Sequence, residues 1–76
     1  MSDIEKLRVV IKDSGMTMTA VANKSGINRV TLYNRLSGVG EFTASEIMGL
    51  TDALHLSPED RDAIFFATEV EKSKLT

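Results

Sequence analysis

The stretch that decides the fold is "TMTAVANKSGINRVTLYNRLSG", residues 17–38, in which one glycine separates two helical patterns. Gly26 can adopt a positive φ without steric cost, so it ends the first pattern and permits a sharp turn into the second. Ala22 lies where these two helices would cross most closely, and a larger side chain there would push them apart. Leu32 and Leu36 are one turn apart and would anchor the second helix to a core. The stretch therefore predicts two short helices joined by a tight turn.

Signals for helix starts are unusually complete in the middle of the chain. Thr17 and Asn28 can cap the second and third helices, and Thr43 opens a capping box that Glu46 completes. Each start is flanked by an apolar pair at hydrophobic-staple spacing, namely Met16 with Val21, Ile27 with Leu32, and Phe42 with Ile47. These signals predict three helices in this part of the chain.

Two further helices are predicted at the ends. Ser2 and Glu5 have the spacing of a capping box, and an apolar stripe follows them up to Gly15. Ser57 followed by Pro58 begins the fifth helix, with acidic residues in its first turn. Because no long stretch alternates like a strand, we expect an all-α domain of five helices over residues 1–70, followed by a polar, frayed tail at 71–76.

The chemistry of the third helix is concentrated on one face. Val30 and Asn34 point nearly opposite its two leucines, Thr31 flanks them, and Arg29 lies in the first turn. No carboxylate is present on this outward face to repel phosphate. Arginine can pair with guanine and asparagine with adenine, while valine and threonine methyl groups can contact the methyl group of thymine. The sharp crossing is that of a helix-turn-helix, and this outward face predicts that helix 28–37 reads the major groove of double-stranded DNA.

The charge distribution is compatible with that prediction although the net charge is −2. Residues 1–13 are neutral overall, residues 14–40 carry +3 with no acidic residue, and residues 41–76 carry −5. Binding to phosphate depends on the local field and not on the total charge. Three bases in such a window can also be an ordinary solvated surface, so charge alone leaves both interpretations open.

Several classes of function are not supported by the composition. Seventy-six residues make one domain, without cysteine and with a single histidine, so we expect no metal site or cofactor. No nucleophile–base pair or phosphate loop is present, and we predict a protein that is not an enzyme and takes no small-molecule ligand. The apolar runs are short and the N-terminus lacks the pattern of a signal peptide, which favours a cytoplasmic location without membrane contact.

Residues from about 17 to 66 resemble the phage Cro and lambda-type repressor helix-turn-helix family, also called XRE-like. The resemblance is carried by "TLYNRLSGVGEFTASEI" and "LSPEDRDAIFF", which look like small prophage regulators of that family. It implies a compact five-helix domain, a homodimer and operator DNA as the ligand. It also implies base contacts at Asn28, Arg29, Val30 and Asn34. Met18 stands where the family often has a phosphate-contacting glutamine, and Thr17 or Thr19 would replace that contact.

The remaining candidates would contact the DNA backbone, and with Thr17 and Thr19 they are Lys24, Thr31, Tyr33 and Arg35. The apolar residue near the end of the third helix is shifted to Leu36, which would leave Arg35 free to approach the backbone. Each candidate also has a plainer interpretation. Asn28 is a helix cap first, Tyr33 can be half-buried core, and the cations can be solvated. His55, expected in the last turn of the fourth helix, is interpreted as structural.

The dimer interface is predicted on the fifth helix. Ile64, Phe65 and Phe66 point in directions about 100° apart, so a single core-facing stripe cannot take all three. We place Ile64 and Phe66 on the inward side together with Ala67 and Val70, which leaves Phe65 exposed for contact with a second copy. Phe65 and Phe66 are the interface candidates.

One alternative function remains open from the sequence. The same scaffold could serve as a protein-interaction module, such as an antitoxin or the partner of an anti-repressor, because fold alone does not define function. A surface that binds a protein would more often show an apolar patch, whereas the outward face of helix three carries mostly hydrogen-bonding groups.

Overall fold

The structure is a computed structural model that describes residues 2–66, and these residues form five α-helices and no strand. The helices are α1 (Ile4–Asp13), α2 (Met18–Ser25), α3 (Arg29–Leu36), α4 (Ala44–Ala53) and α5 (Pro58–Phe65). The all-α, five-helix fold expected from the sequence is therefore confirmed. The predicted boundary at residue 70 and the tail 71–76 lie outside the described residues.

Four of the five predicted helix caps are observed. Thr17, Asn28, Thr43 and Ser57 each accept a hydrogen bond from an amide in the first turn of the helix that follows, and Thr43 takes part in a complete capping box. Caps of this kind satisfy amides that have no partner inside the helix, which is why their positions define helix starts so well.

The predicted cap of α1 is wrong by one residue. Asp3, and not Ser2, is the N-cap, and its carboxylate accepts a hydrogen bond from the Lys6 amide at 3.1 Å. The backbone amide of Asp3 in turn donates to the carbonyl of Ile64 in α5. This tertiary contact fixes the start of α1 against α5, and a sequence motif alone could not show it.

Apolar side chains from all five helices form the core. Val21 and Leu32 are among its fully buried members, and all three predicted staples lie in or against it. Ala22 is buried where α2 and α3 meet. Gly26 has φ +73°, so the turn between these helices uses the left-handed conformation that the sequence predicted.

The prediction for α5 is wrong for both phenylalanines. Phe65 is only 4% exposed and Phe66 is 38% exposed, the reverse of the expected arrangement. The error came from assuming one core-facing side, whereas α5 contacts both α1 and α4. The ring of Phe65 packs edge to face against Phe42, with centroids 5.3 Å apart, and Phe66 follows the last helical residue. Ala67 and Val70 lie outside the described residues.

Helices α2 and α4 approach each other closely at Gly49. A Cβ atom at this position would overlap the backbone carbonyl oxygen of Ser25, the last residue of α2. Ser25 is itself buried, and its hydroxyl donates to the carbonyl of Ala22 at 3.2 Å. Glycine in the middle of α4 therefore permits the two helices to pack backbone against backbone.

Replacing Gly49 by alanine should lower the free energy of unfolding by about 1–3 kcal/mol, because the added Cβ forces α2 and α4 apart. Helix propensity alone predicts the opposite sign, a gain of about 1 kcal/mol. Urea unfolding distinguishes the two, with Ser45→Ala on the exposed side of α4 as the control. A Gly49→Ala protein as stable as the wild type would contradict the close crossing.

Candidate nucleic-acid interface

The outward face of α3 is exposed as the helical projection predicted. Leu32 and Leu36 are buried, while Arg29, Val30 and Asn34 face solvent. Tyr33 is also exposed, and Thr31 is half-buried at the edge of the face. Since α2 and α3 contain no acidic residue, the face presents hydrogen-bonding groups and methyl groups without a carboxylate nearby in sequence. Its side chains have the donors, acceptors and methyl groups that can pair with the edges of base pairs in a major groove.

The first turn of α3 is held by Asn28 in a way that leaves a donor available. Its side-chain oxygen accepts hydrogen bonds from the amides of Val30, at 2.8 Å, and Thr31, at 3.4 Å. Capping uses only the oxygen of the carboxamide, and the nitrogen keeps its two N–H groups. Asn28 can therefore cap the helix and donate to DNA at the same time.

Arg29 connects the two helices of the motif. Its Nη1 donates to the hydroxyl oxygen of Thr19 in the first turn of α2, at 3.2 Å. The contact restricts a long side chain that would otherwise sample many rotamers, and most of its N–H groups remain available. Thr17 is the N-cap of α2, and its hydroxyl oxygen accepts from the Ala20 amide at 3.1 Å. Lys24 is exposed in the last turn of α2.

Arg35 is not free to approach a DNA backbone, which corrects the sequence-based expectation. Its Nε lies 3.2 Å from the Glu46 carboxylate, and the exposed fractions of the two side chains are 20% and 15%. Its Nη1 also donates to the carbonyl of Val39 at 3.3 Å. The same Glu46 oxygen completes the capping box by accepting from the Thr43 amide, at 3.0 Å. Arg35 thus joins α3 to the start of α4, and Lys24 and Arg29 are the remaining cations of α2 and α3.

Arg8, which the sequence did not indicate as important, also holds the C-terminal end of α3. Arg8 in α1 donates from Nη2 to the carbonyl oxygen of Leu36 at 2.8 Å, across 28 positions of the chain. The last carbonyls of a helix have no partner inside it and carry partial negative charge, so a guanidinium is well suited to this place. Arg8 lies on an exposed side of α1, and nothing in the local pattern distinguishes it from a solvated cation.

Replacing Arg8 by methionine should lower the free energy of unfolding by about 1 kcal/mol, since the Leu36 carbonyl loses its charged donor. Lys12→Met removes an exposed cation from the same helix without touching α3 and should have less effect. Urea unfolding gives the comparison. If the two variants are equally stable, the Arg8 contact does not support α3.

Outside this face, the structure offers few features of a chemical site. Within residues 2–66, no group of three or more His, Asp or Glu side chains is placed to hold a metal ion. None of the helices in that range is long and apolar enough to cross a membrane. A surface depression of about 490 Å³ lies between α4 and α5, away from the α3 residues described above.

Comparison with known proteins identifies one family. A family model described as "Cro/C1-type HTH DNA-binding domain" matches residues 6–60, which include α1 to α4 almost completely and the start of α5. Comparison with curated proteins and with solved structures found no match. The matched range contains both helices of the motif and every base-contact candidate.

Proposed function

Because the chain belongs to the Cro/C1-type helix-turn-helix DNA-binding family, we propose that it is a transcriptional regulator that recognises specific operator sequences. The resemblance to the Cro and lambda-type repressor family is confirmed by this match. The proposal goes further in assigning sequence-specific reading to α3 and a repressor or Cro-like role in a phage or prophage. It describes a binding protein and not an enzyme, acting in the cytoplasm where its DNA is.

The observation that carries the proposal is the exposed, acid-free face of a well-supported α3. Arg29 would pair with guanine, and Asn34 with adenine, in the major groove. The Val30 side chain is exposed between them and would contact a thymine methyl group. Asn28 would donate to a base or phosphate from its free amide nitrogen. These assignments are supported by geometry and side-chain chemistry together.

A second set of residues would fix the position of α3 on the DNA backbone. Thr17 caps α2, Thr19 and Lys24 lie on α2, and Tyr33 lies on α3. Phosphates flank a helix bound in the major groove, so these hydroxyl and ammonium groups are placed to contact them. Thr31 is half-buried and would contribute at the edge. Arg35 is left out because its guanidinium is paired with Glu46.

The alternative, a protein-interaction module, differs in what α3 would bind. Val30 and Tyr33 are exposed apolar or aromatic side chains on this face, and they could contact a protein. They are neighbours one helical turn apart, but the other exposed side chains on this face, Arg29 and Asn34, are polar, and two side chains alone do not form the extended apolar patch that such a surface needs. Selection of duplexes from a random pool, at two salt concentrations, tests the choice. Recovery of one shared sequence supports operator reading, and recovery of none at either salt contradicts it.

Arg29→Ala and Asn34→Ala should each weaken binding to the selected duplex by about 1–3 kcal/mol and relax preference at one base pair. Binding to a scrambled duplex should change much less. Asn23→Ala, an exposed asparagine on α2, is the control and should leave base preference unchanged. Fluorescence titrations on both duplexes measure the effect. Equal losses on the two duplexes would show that Arg29 and Asn34 contact phosphates and do not read bases.

Lys24→Gln should weaken binding to all sequences and reduce the slope of log affinity against log salt by about one unit, because one phosphate contact is lost. Arg35→Gln should instead leave that slope unchanged and lower thermal stability, because the arginine holds Glu46. Titrations at four salt concentrations, on protein confirmed to be folded, compare the two. The reverse pattern would show that Arg35 turns outward to the DNA.

The proposal includes a homodimer. One recognition helix reads only a few base pairs, so specificity usually requires two copies about 34 Å apart on a near-palindromic site. The sequence placed the interface on Phe65, but this side chain is buried and cannot serve without unfolding α5. Phe66 remains exposed.

A further inference from the structure

The most exposed large apolar side chain within residues 2–66 is Met48, at 72% exposure, in the middle of α4. Around the axis of α4 it points about 160° away from the buried Leu50. Leaving it in water forgoes the free energy that its burial would supply, and methionine is favoured on surfaces that adapt to a partner. The proposed role of the α3 face does not explain why Met48 is exposed.

Met48 borders an open groove of about 490 Å³ between the end of α4 and the start of α5. The groove is lined by Met48, Thr51, Asp52, His55, Leu56 and Arg61. It is thus partly apolar, and it carries both a carboxylate and a guanidinium. A groove this open suits a side chain from another protein better than an enclosed small molecule, whose sites bury most of the ligand.

The groove is shaped by a sharp turn that would ordinarily contain glycine. His55 has φ +54°, the left-handed conformation, and its amide donates to the Asp52 carbonyl at 3.3 Å. The amide of Leu56 donates to the Thr51 carbonyl at 2.9 Å, which completes the Schellman motif at the end of α4. The sequence had suggested that His55 lies in the last turn of α4, but His55 follows the end of the helix. This conformation is costly for a residue with a side chain, yet the imidazole is placed in the groove lining.

The charges of the groove are complementary to one another. Asp52 is exposed on α4, and Arg61 on α5 is partly exposed, with its Nε 3.1 Å from Asp62. The two Nη groups of Arg61 donate no hydrogen bond to any residue between 2 and 66. A surface with a protruding apolar side chain, a groove beside it and both charges at its rim can pair with an identical surface through a two-fold axis.

We propose that this groove is the surface on which a second copy of the chain docks, with Met48 of each copy inserted into the groove of the other. In that arrangement Asp52 faces the partner subunit's Arg61, and the same pair repeats across the axis. The proposal rests on the proposed function, which needs two copies on one operator. It replaces the interface that the burial of Phe65 ruled out.

DNA is a poor candidate for the same groove. Asp52 lies in its lining, and Glu59 and Asp60 occupy the first turn of α5 next to it, so phosphate would be repelled. The base-contact candidates belong to α3 and its cap, and none of them lines the groove. A copy docked at α4 and α5 therefore leaves Arg29 and Asn34 open to the DNA.

The first test is sedimentation equilibrium without DNA on wild type, Met48→Lys and Val9→Lys. Val9 is an exposed apolar residue on α1, at 55%, and serves as the matched control. Met48→Lys should weaken self-association by about tenfold or more, as expected for a central interface residue, and Val9→Lys should not. A wild type that stays monomeric both free and on its selected duplex would overturn the proposal. So would a dimer that is lost in Phe66→Lys and kept in Met48→Lys.

A charge exchange gives a second, independent test. Asp52→Arg alone and Arg61→Asp alone each place like charges opposite each other at the axis, so each protein should self-associate poorly. An equimolar mixture should regain association, because every pair across the axis again has opposite signs. Circular dichroism confirms that each variant is folded. A mixture that associates no better than its components would contradict the predicted pairing.

The experiments also separate this proposal from the function on which it rests. Met48→Lys should bind a duplex with a single half-site as tightly as the wild type, because α3 is untouched. It should lose the additional affinity that wild type gains on a duplex with two half-sites. Full retention of that gain would overturn the groove assignment and leave operator reading intact, whereas loss of single-site binding would contradict the separation of the two surfaces.

Discussion

The position of α3 relative to the core depends on the backbone approach between α2 and α4. Gly49 brings α4 so close to Ser25 that no side chain fits between them, and this fixes the C-terminal end of α2. The turn at Gly26 begins one residue later, so the position of Ser25 determines where α3 leaves the core. Gly49 therefore helps to position α3 although it lies outside the candidate interface.

Helix α3, the proposed recognition helix, is supported at both ends. At its start, Asn28 caps the first turn and Arg29 is tethered to Thr19. At its end, Arg8 donates to the last carbonyl and Arg35 connects it to Glu46. An eight-residue helix has little intrinsic stability in water, so these contacts supply order that its sequence alone does not. Side chains held in place before binding lose less conformational entropy when they contact bases.

The features that could be predicted from sequence are those with local causes. Caps at Thr17, Asn28 and Thr43, and the glycine turn at residue 26, are decided within a few residues, and the structure has all of them. The outward face of α3 follows from helical periodicity and the buried leucines. What failed depends on distant parts of the chain. Phe65 is buried because α5 has neighbours on two sides, and the partners of Arg8 and Arg35 are 28 and 11 residues away.

The charge of the described surface explains why two copies are physically reasonable. Affinity for DNA of any sequence comes mainly from neutralised phosphates. With Arg35 paired to Glu46, α2 and α3 offer only Lys24 and Arg29 for this purpose, while the chain as a whole is acidic. One copy would therefore bind weakly to random DNA, and its affinity would have to come from base contacts. Two copies on one duplex combine their base contacts, because the second binds at the high effective concentration set by the first. Weak phosphate binding thus favours discrimination, provided that the copies associate.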